Sequence, residues 1–204
     1  MQRRSFAISV LAGAGILVAG CGGGGDESGA LPLDPSPGPG PGSEPGPAPM
    51  AHAYMAMPAS AEVAIYGMLV DGSLKAIGTV SAEAGTTAVA VLRSGLFAYA
   101  VNADARTISI YDRDRGTGSL RLRNSFALVI FGRPSEIRFH PSQEIAYVAT
   151  GSGVGVYSVD AGTGALQFVR FQASGPEAID IHPSGAFLFA GRDTGLRTAR
   201  AVQN

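Results

Sequence analysis

The chain has 204 residues, which is enough for one ordinary domain, and its formal net charge is −1. Its cationic side chains are almost all arginines and are dispersed along the sequence, so neither a basic stripe nor a nucleic-acid partner is expected. A single cysteine excludes an internal disulfide framework.

The first residues have the pattern of an export signal. Arg3 and Arg4 precede an apolar run from residue 6 to residue 18, which is shorter than the roughly 20 apolar residues that span a bilayer. We therefore assign residues 1–20 to a signal peptide. The arginine pair also resembles part of a twin-arginine signal, but Gln2 departs from that pattern, so we favour the general export route.

The apolar run ends in the segment Leu17–Cys21, which resembles the lipobox of bacterial lipoproteins. The resemblance implies cleavage before Cys21 and acylation of that cysteine, and several acyl chains anchor a protein firmly in a membrane. Gly22 follows in place of the aspartate of inner-membrane retention signals, so we expect an outer-membrane lipoprotein that faces the periplasm. The alternative is an ordinary cleaved signal in which the cysteine is incidental.

Glycine and proline dominate the next segment, with nine glycines and eight prolines among residues 22–49. Such a composition cannot bury a core and predicts a spacer between the membrane and a folded domain. We assign residues 21–60 to the lipidated cysteine and this linker. His52 and three nearby methionines resemble a set of soft metal ligands, but we place them at the fraying end of the linker and expect no metal and no cofactor.

From residue 61 the sequence repeats itself with a period near 45 residues. Strands that end in tyrosine recur with spacings of 45 and 46 residues, at Tyr66, Tyr111 and Tyr157. Two kinds of turn recur with them. One is a glycine turn that ends in leucine, at 72–74, 118–120 and 164–166, and the other is a His-Pro-Ser turn at 140–142 and 182–184. Strands and glycine turns at this period are typical of β-propeller blades.

The predicted fold class is therefore all-β. We expect residues 61–204 to form a partial β-propeller of about three blades, each a four-stranded antiparallel sheet. The pattern predicts twelve strands: two before residue 82, four between 88 and 128, four between 134 and 171, and two between 177 and 190.

Three motifs also carry a family resemblance: the turn His140–Ser142, the strand Ile145–Val148 and the longer segment Val156–Leu166. Together they resemble the lactonase family of seven-bladed propellers, the 6-phosphogluconolactonase-like proteins, over residues 61–192. The resemblance implies a propeller that hydrolyses lactones. A seven-bladed member needs more than twice these repeats, and the chain after Gly191 departs from the repeat, so we expect a truncated or frame-shifted end.

The family resemblance also implies an Arg-His pair before the first strand of a blade, and this chain lacks it at residues 133–136 and 175–178. The remaining catalytic candidates are Glu136 and Glu177, which begin equivalent first strands, with Arg133 and Arg138 nearby. Two carboxylates that converge on a channel could act as base and orienter. The alternative is that these are polar residues that simply face water where the blades begin.

Two pairs of repeat-equivalent residues suggest structural turns. His140 and His182 begin the same turn in successive repeats, and Asp114 and Asp160 precede the same glycine turn. An aspartate in that position closes a turn with backbone N–H bonds. Metal binding would require the two histidines to converge, whereas successive blades separate them, so we predict turn roles for all four residues.

Three classes of function remain open at this level. The first is a non-catalytic, membrane-anchored binding or scaffold module. The second is a 6-phosphogluconolactonase-like lactone hydrolase assembled from several chains, and the third is a truncated product with no stable function. An incomplete ring leaves sheet faces uncovered, so self-association of chains that closes the propeller is expected, together with a small-molecule or envelope ligand.

Replacing Cys21 tests the lipid anchor directly. In cells labelled with a fatty acid, Cys21→Ser should lose the label and move the protein from the membrane to the soluble fraction, because the thiol is the acylated group. A second variant with Ser36→Cys added should not regain the label, since its cysteine lies outside the lipobox. Unchanged labelling of Cys21→Ser would contradict the assignment.

Overall fold

The computed structural model describes residues 8–11, 49–129, 132–173, 178–192 and 195–201, and all of its regular structure is β-strand. Among these residues there is no helix long and apolar enough to cross a bilayer. The strands form four antiparallel sheets, each made of strands that are consecutive in the chain. Cys21 and most of the predicted linker lie outside the described residues.

The four sheets follow one another along the sequence. The first contains β1 (Ile8–Leu11), β2 (Ala51–Met57), β3 (Glu62–Met68) and β4 (Leu74–Ser81). The second contains β5 (Thr86–Val91), β6 (Phe97–Asn102), β7 (Thr107–Arg113) and β8 (Leu120–Ala127). The third contains β9 (Pro134–Phe139), β10 (Ile145–Thr150), β11 (Gly153–Val159) and β12 (Leu166–Gln172). The fourth contains β13 (Ala178–Ile181), β14 (Phe187–Arg192) and β15 (Gly195–Arg200).

The core lies between the sheets. Every residue of β6 and of β10 is buried, because each of these strands has a neighbouring sheet on both faces. The outermost strands β8 and β12 are almost entirely exposed. Three apolar clusters fill the three spaces between successive sheets. Four-stranded sheets stacked in this way are β-propeller blades, so the predicted all-β, partial-propeller fold is confirmed.

The strand count differs from the twelve that the sequence predicted, because the described residues contain fifteen strands. The main correction concerns β2, whose residues the sequence analysis placed at the end of the linker. Its alternate residues His52, Tyr54 and Ala56 are buried, and Tyr54 and Ala56 belong to the apolar cluster between the first and second sheets. Alanine and methionine have little intrinsic preference for strands, so packing against the next sheet, rather than local propensity, makes this segment extended.

The strand β1 comes from the apolar run that the sequence assigns to the export signal. It pairs antiparallel with β2, with Ile8 opposite Met55 and Leu11 opposite His52. It therefore takes the position next to β2 that β5 and β9 take in the following sheets. Signal cleavage before Cys21 would remove this strand and leave the backbone edge of β2 open.

Neighbouring sheets are tied by one repeated hydrogen bond. The hydroxyl of Tyr54 on β2 donates to the carbonyl oxygen of Gly118 at 2.7 Å, and the hydroxyl of Tyr99 on β6 donates to that of Gly164 at 2.7 Å. Each glycine belongs to the turn before the outermost strand of the following sheet. The bond therefore joins the second strand of one sheet to a turn of the next, and a buried hydroxyl gains its partner there.

The glycines in these turns are required by both conformation and space. Gly118 has φ +74° and Gly164 has φ +72°, in the left-handed region that favours glycine. A Cβ on Gly164 would lie 2.8 Å from the ring of Phe97, and one on Gly118 would overlap the ring of His52. The sheets therefore approach each other closely at these turns.

Two alanine substitutions separate the effect of packing from that of conformation. Gly164→Ala introduces both a left-handed alanine and the contact with Phe97, whereas Gly72→Ala introduces only the former, since φ is +84° and nothing lies within 4 Å of its Cβ position. In dilute protein, Gly164→Ala should lower the free energy of unfolding by about 1–3 kcal/mol more than Gly72→Ala, as for other overpacked sites. Equal losses in urea unfolding would contradict the packing argument.

Candidate functional site

Two of the charged residues predicted near the propeller channel, Glu136 and Arg138, lie on the first strand of the third sheet. Glu136 and Arg138 are two residues apart on β9, so their side chains share a face. The Arg138 Nη2 lies 2.5 Å from Glu136 Oε1, and the Arg138 Nε lies 3.9 Å from Oδ1 of Asp180 on β13. These three residues form what we call the first-strand charge row.

Glu136 also connects the two sheets. Its Oε2 accepts a hydrogen bond from the backbone N–H of Ile179 on β13 at 2.8 Å, and its side chain is largely buried. Both carboxylate oxygens therefore have partners, one cationic and one in the backbone of the next sheet. Such a carboxylate stabilises the junction of two first strands, since charge-assisted hydrogen bonds are among the stronger ones.

Glu177 lies outside the described residues, and the strand β13 is described from Ala178 onward. Counted back from the turn residues His140 and His182, Glu136 is four residues away and so is Ala178, which pairs with Gly191 on β14. Glu177 is one residue further from its turn. The equivalence of Glu136 and Glu177 therefore stays a prediction, and Ala178 is the described residue at the same distance from its turn as Glu136.

Arg133 has a different partner from the other candidates. Its guanidinium forms an ion pair with Asp104, which lies in the turn between β6 and β7 of the preceding sheet. Both side chains are more than half exposed, so this pair contributes little to stability. Of the predicted candidates that the structure describes, it brings Glu136 and Arg138 together and places Arg133 in a separate contact.

The two equivalent histidines occupy turns, and their surroundings differ. His140 is buried: its Nδ1 accepts from the backbone N–H of Ser142 at 3.2 Å, and its Nε2 lies 3.0 Å from the carbonyl oxygen of Gly185 in the next sheet. Those partners place the proton on Nε2. His182 is exposed, with its Nδ1 2.7 Å from the hydroxyl of Ser184.

The two aspartates make matching turns. Oδ1 of Asp114 accepts from the backbone N–H of Thr117 at 2.7 Å, and Oδ1 of Asp160 accepts from that of Thr163 at 2.7 Å. These backbone bonds are the main cause that lowers the pKa of both carboxyls, because they stabilise the charged form. In the described part of the chain, no three His, Cys, Asp or Glu side chains converge in a way that could hold a metal ion.

A buried polar group that the sequence does not predict lies between the first and second sheets. Arg113 is buried; its Nε donates to the hydroxyl of Tyr54 at 2.6 Å, and its Nη1 donates to the carbonyl oxygen of Gly95 at 3.0 Å. Its Nη2 lies 3.3 Å from Nδ1 of His52. The guanidinium also lies 5.6 Å from the centroid of the Tyr54 ring, so neutral acceptors and an aromatic face surround this cation.

The next interface shows what normally fills these positions. Where the first interface has His52 and Arg113, the second has Phe97 and Val159, and both are buried in its apolar cluster. The sequence does distinguish the two interfaces at this position, because Arg113 precedes Asp114 whereas Val159 precedes the equivalent Asp160. The partner of Arg113, His52, is harder to predict because it lies on β2, whose sequence resembles the linker.

The burial of this interface lowers the pKa of His52. Desolvation lowers its pKa from the ordinary value of 6.5, the Arg113 cation lowers it further, and Asp114 opposes the shift. Because Nδ1 faces the arginine and must accept, the proton of the neutral ring is on Nε2, which is buried without a hydrogen bond of normal geometry; the nearby Thr117 backbone only partly opposes the lowering of the pKa. Among the described residues, Nε2 of His52 and the hydroxyl of Tyr157 are the buried side-chain polar atoms for which the geometry gives no hydrogen bond.

Stacked four-stranded sheets with these tyrosine-to-turn ties define the chain as a propeller-type protein, and solved structures share this fold. A candidate 6-phosphogluconolactonase from Bacteroides uniformis superposes with a TM-score of 0.65 at 20% identity, covering 73% of this chain and 47% of that one. One from Bacteroides fragilis has a TM-score of 0.65 at 18% identity, covering 74% and 48%. The periplasmic gluconolactonase PpgL of Pseudomonas aeruginosa has a TM-score of 0.57 at 19% identity, covering 74% and 40%.

These likenesses establish the fold alone, because the identities are low. The chain spans slightly less than half of the length of the first two of these structures. No protein-family model matches the chain, and no curated protein sequence matches it.

The buried histidine predicts a pH dependence of stability. Because the folded state holds the pKa of His52 below its ordinary value, the unfolded state binds more protons under mildly acidic conditions. Stability is then complete above about pH 6.5 and falls as the pH drops below it, by at most about 1.4 kcal/mol per pH unit for one proton. The lowered pKa values of Asp114 and Asp160 act only in a more acidic range, below 3.8.

Urea unfolding at a series of pH values measures this effect. His52→Phe, which copies the residue of the second interface, should abolish the loss of stability between about pH 7 and pH 5. The control His182→Phe removes an exposed histidine of the fourth sheet and should leave that loss in place. If both variants keep it, His52 is not its source.

Proposed function

We propose that this chain is a lipid-anchored envelope protein whose propeller blades form a non-catalytic binding or scaffold module. The observation that carries the non-catalytic part is the bonding of Glu136, the described carboxylate best placed to act as a base. Its two oxygens are held by the guanidinium of Arg138 and by the backbone of the next sheet.

Lactone hydrolysis makes specific demands that this arrangement meets poorly. A base must activate water, and a cation or N–H group must stabilise the oxyanion that forms. Using Glu136 as the base would break its bond to Ile179 and loosen the junction of β9 with β13. Arg138 is neutralised by Glu136 and lies within 3.9 Å of Asp180, which weakens its attraction for an anionic substrate.

The envelope location rests on the N-terminal sequence. The lipobox-like segment that ends at Cys21 and the glycine- and proline-rich residues 22–49 together suit a domain held at a distance from a membrane. We propose the outer membrane, with the blades in the periplasm. One of the solved structures that shares the fold is itself named as a periplasmic gluconolactonase.

The alternative is a lactone hydrolase, and the names of the structural neighbours favour it. In that case Glu136 would act as the base and Arg138 would attract the acidic group of a sugar lactone. Both side chains belong to the first-strand charge row and are partly accessible, which the alternative requires.

Hydrolysis assays on the full chain in detergent distinguish the two functions. With gluconolactone and 6-phosphogluconolactone, followed by NMR, we expect no rate above the spontaneous one. A rate that Glu136→Gln abolishes would overturn the proposal, because this variant keeps an acceptor for Ile179 and loses the base. The matched control is Glu144→Gln, which removes a carboxylate of the same sheet that also pairs with an arginine, Arg93, at 3.3 Å.

A further inference from the structure

The first sheet has an uncovered surface where the second and third sheets are covered. Leu74, Leu120 and Leu166 each begin the outermost strand of their sheet. Leu120 and Leu166 are 9% and 6% exposed, because the preceding sheet lies over them, whereas Leu74 is 53% exposed. The same leucine therefore lacks its cover in the first sheet.

The glycine turn next to these leucines shows the same difference. A Cβ on Gly118 or on Gly164 would meet an aromatic ring of the preceding sheet, whereas nothing lies within 4 Å of the Cβ position of Gly72. Its φ of +84° keeps the turn in the conformation of the other two. We call the exposed surface formed by Gly72 and Leu74 the tail face.

The fourth sheet has the complementary uncovered surface. The residue that begins the second strand is buried in the second and third sheets, with 4% exposure at Phe97, which contacts the turn of the next sheet, and 2% at Ile145. Its equivalent in the fourth sheet, Phe187, is 42% exposed. His182 is likewise exposed where its equivalent His140 is buried.

The aromatic side chains on this surface form one cluster. The rings of Phe187 and Phe189 lie 6.3 Å and 6.4 Å from that of His182, both in edge-on arrangements. We call these three residues the head face. It is an aromatic surface at the same register that buries Phe97 and Tyr99 inside the chain.

We propose that the head face of one copy of this chain binds the tail face of a second copy, in the geometry of its own internal sheet-to-sheet contacts. The contact of Phe97 with the turn of Gly164 is the pattern, and Phe187 against the turn of Gly72 repeats it. Phe189 takes the place of Tyr99 without its hydroxyl, so the new interface is apolar.

Such a contact is heterologous, because the two surfaces are different, and it either closes a ring or extends a filament. The described residues of two copies supply eight sheets, which is within the range of about four to eight blades that propellers use. A ring of two copies therefore leaves neither face exposed, and it accounts for large apolar side chains at both ends of the described blades.

The test measures the molar mass of the full chain by light scattering, with Cys21→Ser so that no lipid is attached. Against a chain mass of 20.7 kDa, the expected mass is twofold larger. Leu74→Asp and Phe187→Asp should each halve the mass by placing a charge in the interface. Thermal melts monitored by circular dichroism confirm that both variants remain folded, since both positions are exposed.

A mixture of the two variants provides the sharpest result. Each variant keeps one intact face, so the mixture should regain the dimeric mass through a single head-to-tail contact. The control Leu122→Asp changes a half-exposed leucine on the outermost strand of the second sheet and should stay dimeric. A monomeric parent chain, single variants that remain dimeric, or a mixture that stays monomeric would overturn the proposal.

Discussion

The contact between the second strand of one sheet and a glycine turn of the next is the interaction on which this structure depends. A tyrosine hydroxyl donates to the turn carbonyl at 2.7 Å in both described copies, at Tyr54 and at Tyr99. The turn glycine lets the ring of the preceding sheet lie directly against the backbone. This contact holds neighbouring sheets together face to face, and β6, whose sheet has such a contact on both sides, is buried along its whole length.

The two complete interfaces use the same geometry with different chemistry. The second interface is apolar at Phe97 and Val159, whereas the first contains an arginine, Arg113, bonded to a tyrosine and a histidine. A buried cation is costly unless its hydrogen bonds are made, and neutral acceptors supply them here. The neighbouring His52 stays neutral more readily, because burial and the Arg113 cation both lower its pKa. The first interface thus contains a buried histidine and a buried arginine where the second has phenylalanine and valine.

The charged residues on the first strands illustrate how one side chain can suit two interpretations. A glutamate and an arginine near a propeller channel have the composition of a catalytic site. The sequence therefore suggests Glu136 and Arg138 as catalytic candidates. In the folded chain the glutamate accepts the N–H of Ile179 and pairs with the arginine, so its charge holds two sheets together. The likeness to lactonase structures at 20% identity or less is a likeness of this scaffold.

The sequence alone determined the all-β class, the period near 45 residues and the strands of the second and third sheets, because repeated turns and alternating apolar residues are local properties of the chain. It did not reveal β2, since Ala51–Met57 has weak strand propensity and becomes a strand by burial against the following sheet. It also could not pair Arg113 with His52, which are 61 positions apart. Only the tertiary structure decides which equivalent residues are covered, because cover comes from the neighbouring sheet and not from the repeat itself.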